Sequence, residues 1–198
     1  MIKQITFLSC AAVLLAMAGC HRESSPTCTD GSSNFPFLGV NHREIYYFND
    51  LVQFPGTDTM TQTIVSKDAS NHYNVSVSYI HNYFSLPGSV IFFACGEDFY
   101  EAGNPVNPNQ HWWFSLSSNI GDTWTRADQN NVSGTSQLLS KNATVTTIDL
   151  NQTFSNCYEF TFNEQGTINT DTVYFRPDWG LVYYNGTLLR YELMSRNF

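Results

Sequence analysis

Apolar and polar positions alternate along much of the chain. Over residues 74–80, Val75, Val77 and Tyr79 fall on one face and Ser76 and Ser78 on the other. Tyr158, Phe160 and Phe162 alternate with Cys157, Glu159 and Thr161. Leu189, Tyr191 and Leu193 alternate with Leu188, Arg190 and Glu192. A period of two is the signature of a half-buried strand. Residues 90–95 form a continuous apolar run, as in a strand covered on both faces. Asn185-Gly186 between two alternating runs predicts a tight hairpin. No window has a capped helical period; residues 48–54 have room for one short turn. Residues 104–109 carry two prolines, which donate no ladder hydrogen bond, and so predict a loop. Residues 128–140 predict a second polar connection. The pattern as a whole predicts an all-β chain: a single antiparallel, strongly curved sheet or open β-barrel of about eight to eleven strands over residues 35–198.

The first residues obey another pattern. Lys3 precedes a 14-residue uncharged stretch, residues 5–18, that ends at Met17-Ala18-Gly19-Cys20. A spanning helix needs about 20 apolar residues, so this length fits a signal-peptide core instead. Small residues before a cysteine resemble the lipobox of bacterial lipoproteins, with Met17 where that family usually has Leu. The resemblance implies cleavage after Gly19 and acylation (diacylglycerol, palmitate) of Cys20. Residues 1–19 are then a signal peptide and residues 20–34 a lipidated flexible tether, rich in Ser and without apolar periodicity. Several acyl chains on one residue suffice for stable membrane attachment. By the same resemblance, His21 directs the protein to the outer membrane, since Asp there marks inner-membrane retention.

Composition narrows the function. Charged residues are 13% of the chain, and 9 Lys+Arg against 17 Asp+Glu give a net charge of −8. That balance repels phosphate and excludes nucleic-acid binding by charge. Phe, Tyr and Trp number 15, 11 and 4, too aromatic for a disordered chain. Cys28, Cys95 and Cys157 remain after Cys10 and Cys20 are set aside. In an oxidising space they allow one disulfide. Cys95 and Cys157, both in strands, are the expected pair, with Cys28 left over.

A second resemblance covers about a third of the chain. Phe154-Ser155-Asn156-Cys157 and Tyr174-Phe175-Arg176-Pro177-Asp178-Trp179-Gly180-Leu181-Val182 resemble a pattern of exported bacterial β proteins. Those proteins are similar to the open barrel of the lipoprotein-carrier fold, which implies a hydrophobic concavity. The Pro177–Gly180 segment also has a mechanical role as a turn.

Candidate chemistry is sparse. His21, His42, His72, His81 and His111 form no metal-ligand spacing, and no cofactor motif occurs. Trp112, Trp113, Trp179 and Arg176 are the candidate ligand-binding residues. The expected function is a non-enzymatic, membrane-anchored envelope lipoprotein that binds an apolar ligand or a partner protein. The alternatives are an envelope hydrolase using carboxylates near Glu97 and Asp98, or a carbohydrate-binding module built on Trp112 and Trp113.

Overall fold

The structure is a computed structural model. It describes residues 29–51, 58–81, 84–102, 111–127, 133–164, 170–187 and 189–198. Cys20 and His21 lie outside the described residues. So do the side chains of Trp112 and Trp113.

Twelve strands follow a short 3-10 turn at Ser32–Asn34. They are β1 (Arg43–Asp50), β2 (Asp58–Lys67), β3 (Tyr73–His81), β4 (Phe84–Cys95), β5 (Asp98–Ala102) and β6 (His111–Ser115). Then come β7 (Thr123–Ala127), β8 (Ser133–Thr146), β9 (Thr153–Glu164), β10 (Thr170–Arg176), β11 (Gly180–Asn185) and β12 (Leu189–Arg196). They form one antiparallel sheet in the order β6-β5-β4-β3-β2-β1-β12-β11-β10-β9-β8-β7. Every neighbour is a neighbour in sequence except the pair β1–β12, which joins the chain's two halves. Among the described residues no ladder joins β6 to β7, so the sheet stays open there. The count exceeds the expected range. β8 is also longer than expected: it begins at Ser133, inside the segment that reads as a polar connection. β1 likewise runs on to Asp50 where a short turn was expected. The Asn185-Gly186 hairpin forms as expected, closed by the Gly186 N–H on the Leu189 carbonyl at 2.9 Å.

Aromatic contacts measure the curvature. β5 and β10 are seven strand spacings apart in the sheet. Laid flat, that is roughly 34 Å at about 4.8 Å per spacing. Yet the rings of Phe99 and Phe175 lie 5.4 Å apart. The sheet therefore curls until its halves face each other across one core.

The chain itself fills the concavity. Phe35, Phe37 and Leu38, ahead of β1, are buried. The Phe37 ring meets Phe92 of β4 at 6.5 Å, Phe99 at 5.4 Å and Phe175 at 5.4 Å. Residues 29–34, which composition assigns to the tether, already lie against the sheet. Asp30 pairs with Cys95, and the Gly96 N–H donates to the Thr29 carbonyl at 2.8 Å.

The expected Cys95–Cys157 bond is not formed. Cys157 is a free, buried thiol, whereas Cys95 is disulfide-bonded. β4 and β9 stand seven spacings apart in the sheet. Curling brings only inward-facing residues of the two halves together. Cys157 sits one residue from Tyr158, the partner of inward-facing Phe175, and so points outward. Burial pushes its thiol up to about 11, which leaves it inert at neutral pH.

Candidate functional site

The sequence candidates separate into two places. Trp112 and Trp113 stand on edge strand β6, with Trp112 opposite Tyr100. Arg176 and Trp179 belong to the β10–β11 turn, toward the middle of the sheet order. Glu97 is exposed in the β4–β5 turn, and the Tyr100 hydroxyl donates to Asp98 Oδ2 at 3.4 Å.

The β10–β11 turn is built locally. The Trp179 N–H donates to the Arg176 carbonyl at 3.0 Å. Gly180 has φ +81°, a region that side chains avoid. A Cβ there would lie 2.7 Å from Glu44 Oε1 and 3.1 Å from Phe37. Glycine therefore lets the turn close directly over the core.

That turn forms one wall of an open groove of about 590 Å³. Phe154, Arg176, Trp179, Leu193, Met194 and Arg196 line it, with polar atoms of residues 152, 153, 155 and 195. Its size lies within the range of small-molecule sites. Trp179 is its centre. The Arg176 guanidinium lies 4.2 Å from the indole centroid and that of Arg196 lies 3.7 Å from it. Phe154 meets the same ring edge-on at 5.8 Å. Stacking two cations on one indole uses its negative face.

The charges do not cancel within the groove. Asp178 binds Arg176 through two contacts, Nε to Oδ1 at 3.0 Å and Nη2 to Oδ2 at 2.6 Å. Among the described residues, Arg196 donates to the Asp178 carbonyl, at 3.3 Å. Burial lowers the pKa of Arg196; Asp178 opposes the shift and the adjacent Arg176 adds to it. Glu44 stands opposite Arg196 in the β1–β12 ladder. Burial pushes the Glu44 carboxyl up to about 8, against the Tyr46 hydrogen bond and the charge of Arg196. Burial thus favours the neutral form of Glu44, which weakens its balance of Arg196.

The other wall is the start of β9, residues 153–155, with Gln152 ahead of it; the β8–β9 connection before Gln152 folds back over β12. Its anchor is Glu192, fully buried on the face it shares with Tyr47 and Tyr183. The carboxylate accepts the backbone N–H groups of Ile148, Asp149 and Leu150 at 2.7–3.2 Å. Arg190 reinforces the tip by donating to Asp149 Oδ2 at 2.9 Å. Sequence reading missed Arg196, Phe154 and this clamp. Alternation placed Glu192 correctly on the polar face of β12, but nothing local showed what would cover it.

Among the described residues, the space beside Glu44 is much smaller. Two cavities of about 10 and 20 Å³ lie beside Glu44, among Phe37, Phe92, Gln62 and neighbours. The larger has space for about one water. Glu44 lines both, and its Oε1 has no hydrogen-bond partner among the described residues. His42 is structural: Nδ1–H donates to the Phe37 carbonyl at 2.9 Å, and the ring stacks on Phe198. Among the described residues, no group of three or more His, Cys, Asp or Glu could hold a metal ion. No described helix is long and apolar enough to cross a membrane.

The class these features define is an all-β protein built on one open, strongly curved antiparallel sheet. No family model and no curated protein matches the chain. Among solved structures it is similar to a protein from Bacteroides fragilis NCTC 9343 described as exported and as having a YmcC-like fold. The TM-score is 0.52 at 10% identity, over 81% of this chain and 97% of that one. At that identity the likeness establishes a shared fold and nothing about activity.

Proposed function

We propose that this protein is an exported envelope lipoprotein, anchored to the outer membrane through acyl chains on Cys20, that binds rather than catalyses. Its ligand is amphipathic: an apolar body carrying an anionic group, held in the Trp179 groove. The observation that carries this reading is the pair of guanidiniums on one indole, with a single carboxylate between them, above a groove of about 590 Å³. The apolar floor of Phe154 and Leu193 would take the ligand body, and Arg196 its charge. Part of the concave face, where an aromatic-rich sheet was expected to hold a ligand, is taken up by Phe37, Phe92, Phe99 and Phe175 packing on one another, which supports moving the site to the groove. The description of the structural neighbour as exported fits the same compartment.

Two measurements test the proposal. Native mass spectrometry of residues 20–198 carrying Cys20→Ala, purified without detergent, should show an added mass lost on denaturation. That mass should be absent from Trp179→Ala and Arg196→Gln. A bare wild-type mass, or adduct retained by both variants, overturns the groove as the site. Separately, the wild-type chain should stay with membranes after a carbonate wash and Cys20→Ala should not.

A further inference from the structure

We infer that Glu44 is a proton switch beneath the Trp179 groove: protonated, it leaves the charge of Arg196 to hold an anion, and ionised, it offsets that charge and weakens the hold. The switch regulates the anion site proposed for the groove and rests on that reading. The carboxyl is buried, and its Oε1 has no hydrogen-bond partner among the described residues. A Cβ on Gly180 would lie 2.7 Å from Oε1, so the carboxyl packs directly against the turn that carries Trp179. Glu44 is also the register partner of Arg196, whose guanidinium lies 3.7 Å from the Trp179 ring centroid. Each charge acts on the other: Arg196 favours ionised Glu44, and Glu44 favours charged Arg196. One carboxyl therefore meets both the backbone that carries the indole and the strand that carries the cation.

The hydrogen bonds around Glu44 have two arrangements. Tyr46 Oη lies 2.7 Å from Glu44 Oε2 and 3.1 Å from the Leu181 carbonyl oxygen. A carboxylate and a carbonyl both accept, and a phenol has one hydrogen to give. With Glu44 ionised, that hydrogen cannot serve both contacts fully. With Glu44 protonated on Oε2, the carboxyl donates to Tyr46 Oη and Tyr46 donates to Leu181. Both contacts are then full hydrogen bonds, and β1 is tied to β11 beside Gly180. The proton thus reaches the β10–β11 turn through bonds as well as through charge.

The groups facing the carboxyl set where the proton leaves. On its own segment these are Tyr46 and, at the smaller cavity, His42. β2 presents the uncharged Gln62, β5 presents Glu101 at the larger cavity, and β12 presents Arg196. Burial outweighs Tyr46 and Arg196 and pushes the carboxyl up to about 8. The proton is therefore lost to solvent as pH rises through that value. Whatever factor the proton adds to anion affinity, a bound anion adds to proton affinity.

The test uses anilinonaphthalene sulfonate, an apolar body whose sulfonate keeps its charge throughout the range. Its affinity for the Cys20→Ala protein described above is measured by fluorescence titration at pH 6 and pH 9. Affinity should fall about tenfold between them, equal to one pKa unit of coupling. In Glu44→Gln, whose amide donates to Tyr46 as the protonated acid does, affinity at pH 9 should match the parent's at pH 6. An equal decline in Glu44→Gln assigns the pH dependence to another group and overturns the switch, as does a parent that binds equally at both pH values. A second readout needs no ligand. The Trp179 indole N–H resonance, assigned by its loss from Trp179→Phe, should shift as pH passes about 8 in the parent and stay fixed in Glu44→Gln. Probe affinity unchanged in Trp179→Ala defeats the groove reading. A Trp179 resonance that still titrates through Glu44 then keeps the coupling, and one that does not defeats both.

Discussion

The concave interior and the Trp179 groove are both aromatic, yet they are opposite kinds of environment. Inside, Phe37, Phe92, Phe99 and Phe175 meet one another at 5.3–6.5 Å, and the two cavities beside Glu44 hold about 10 and 20 Å³. In the groove, one indole meets two guanidiniums and opens to about 590 Å³. Rings that satisfy each other make a core. A ring that holds uncancelled charge at an open surface has affinity left over for a ligand. Aromatic abundance alone does not separate the two.

The contrast can be broken most severely from the inside. Phe37→Ala removes the ring that ties β4, β5 and β10 together, and should cost about 3–5 kcal/mol in urea unfolding. Ligand retained by the native fraction of that variant would confirm that the interior is not the site. Glu44→Gln comes next, with an effect on the order of a few kcal/mol that depends on pH. The folded carboxyl, near 8, lies above its ordinary value of 4.5, so the folded state holds the proton more tightly. Its stabilisation is full below about 4.5, declines as pH rises, and is lost by about 8. Unfolding curves at pH 5, 7 and 9 should show this decline in the wild type and its absence from Glu44→Gln.

Two further substitutions act on the groove. Glu192→Ala strands three backbone N–H groups and should cost about 2–3 kcal/mol. Faster amide exchange at residues 148–150, with protection at Phe92 and Phe99 kept, would show that the connection beside the groove detaches from an intact core. Trp179→Ala should have the smallest effect on stability, about 1 kcal/mol, while abolishing ligand retention. A loss of several kcal/mol would make Trp179 a core residue instead and remove the contrast.

Much of the fold was legible because strand patterning is local. Alternation at Val75, Val77 and Tyr79 identified β3, and at Leu189, Tyr191 and Leu193 it identified β12. The Asn185-Gly186 pair located its hairpin. Arg176 and Trp179 could be singled out because their turn is contiguous in sequence. Arg196, twenty residues from Arg176, could not. Nor could Glu192, whose partners are 42–44 residues away.

Local periodicity, composition and the leader pattern were therefore enough for an all-β chain, several of its strands and an expected lipid anchor. Each depends on residues only a few positions apart. The tertiary structure decided that the concavity is filled from the chain's own segment before β1. It also decided that Cys157 faces away from Cys95, and that two arginines meet on one tryptophan. Those outcomes depend on how far the sheet curls and on which face each strand turns inward. Curling acts over seven strand spacings, where pattern along the chain carries no distance information.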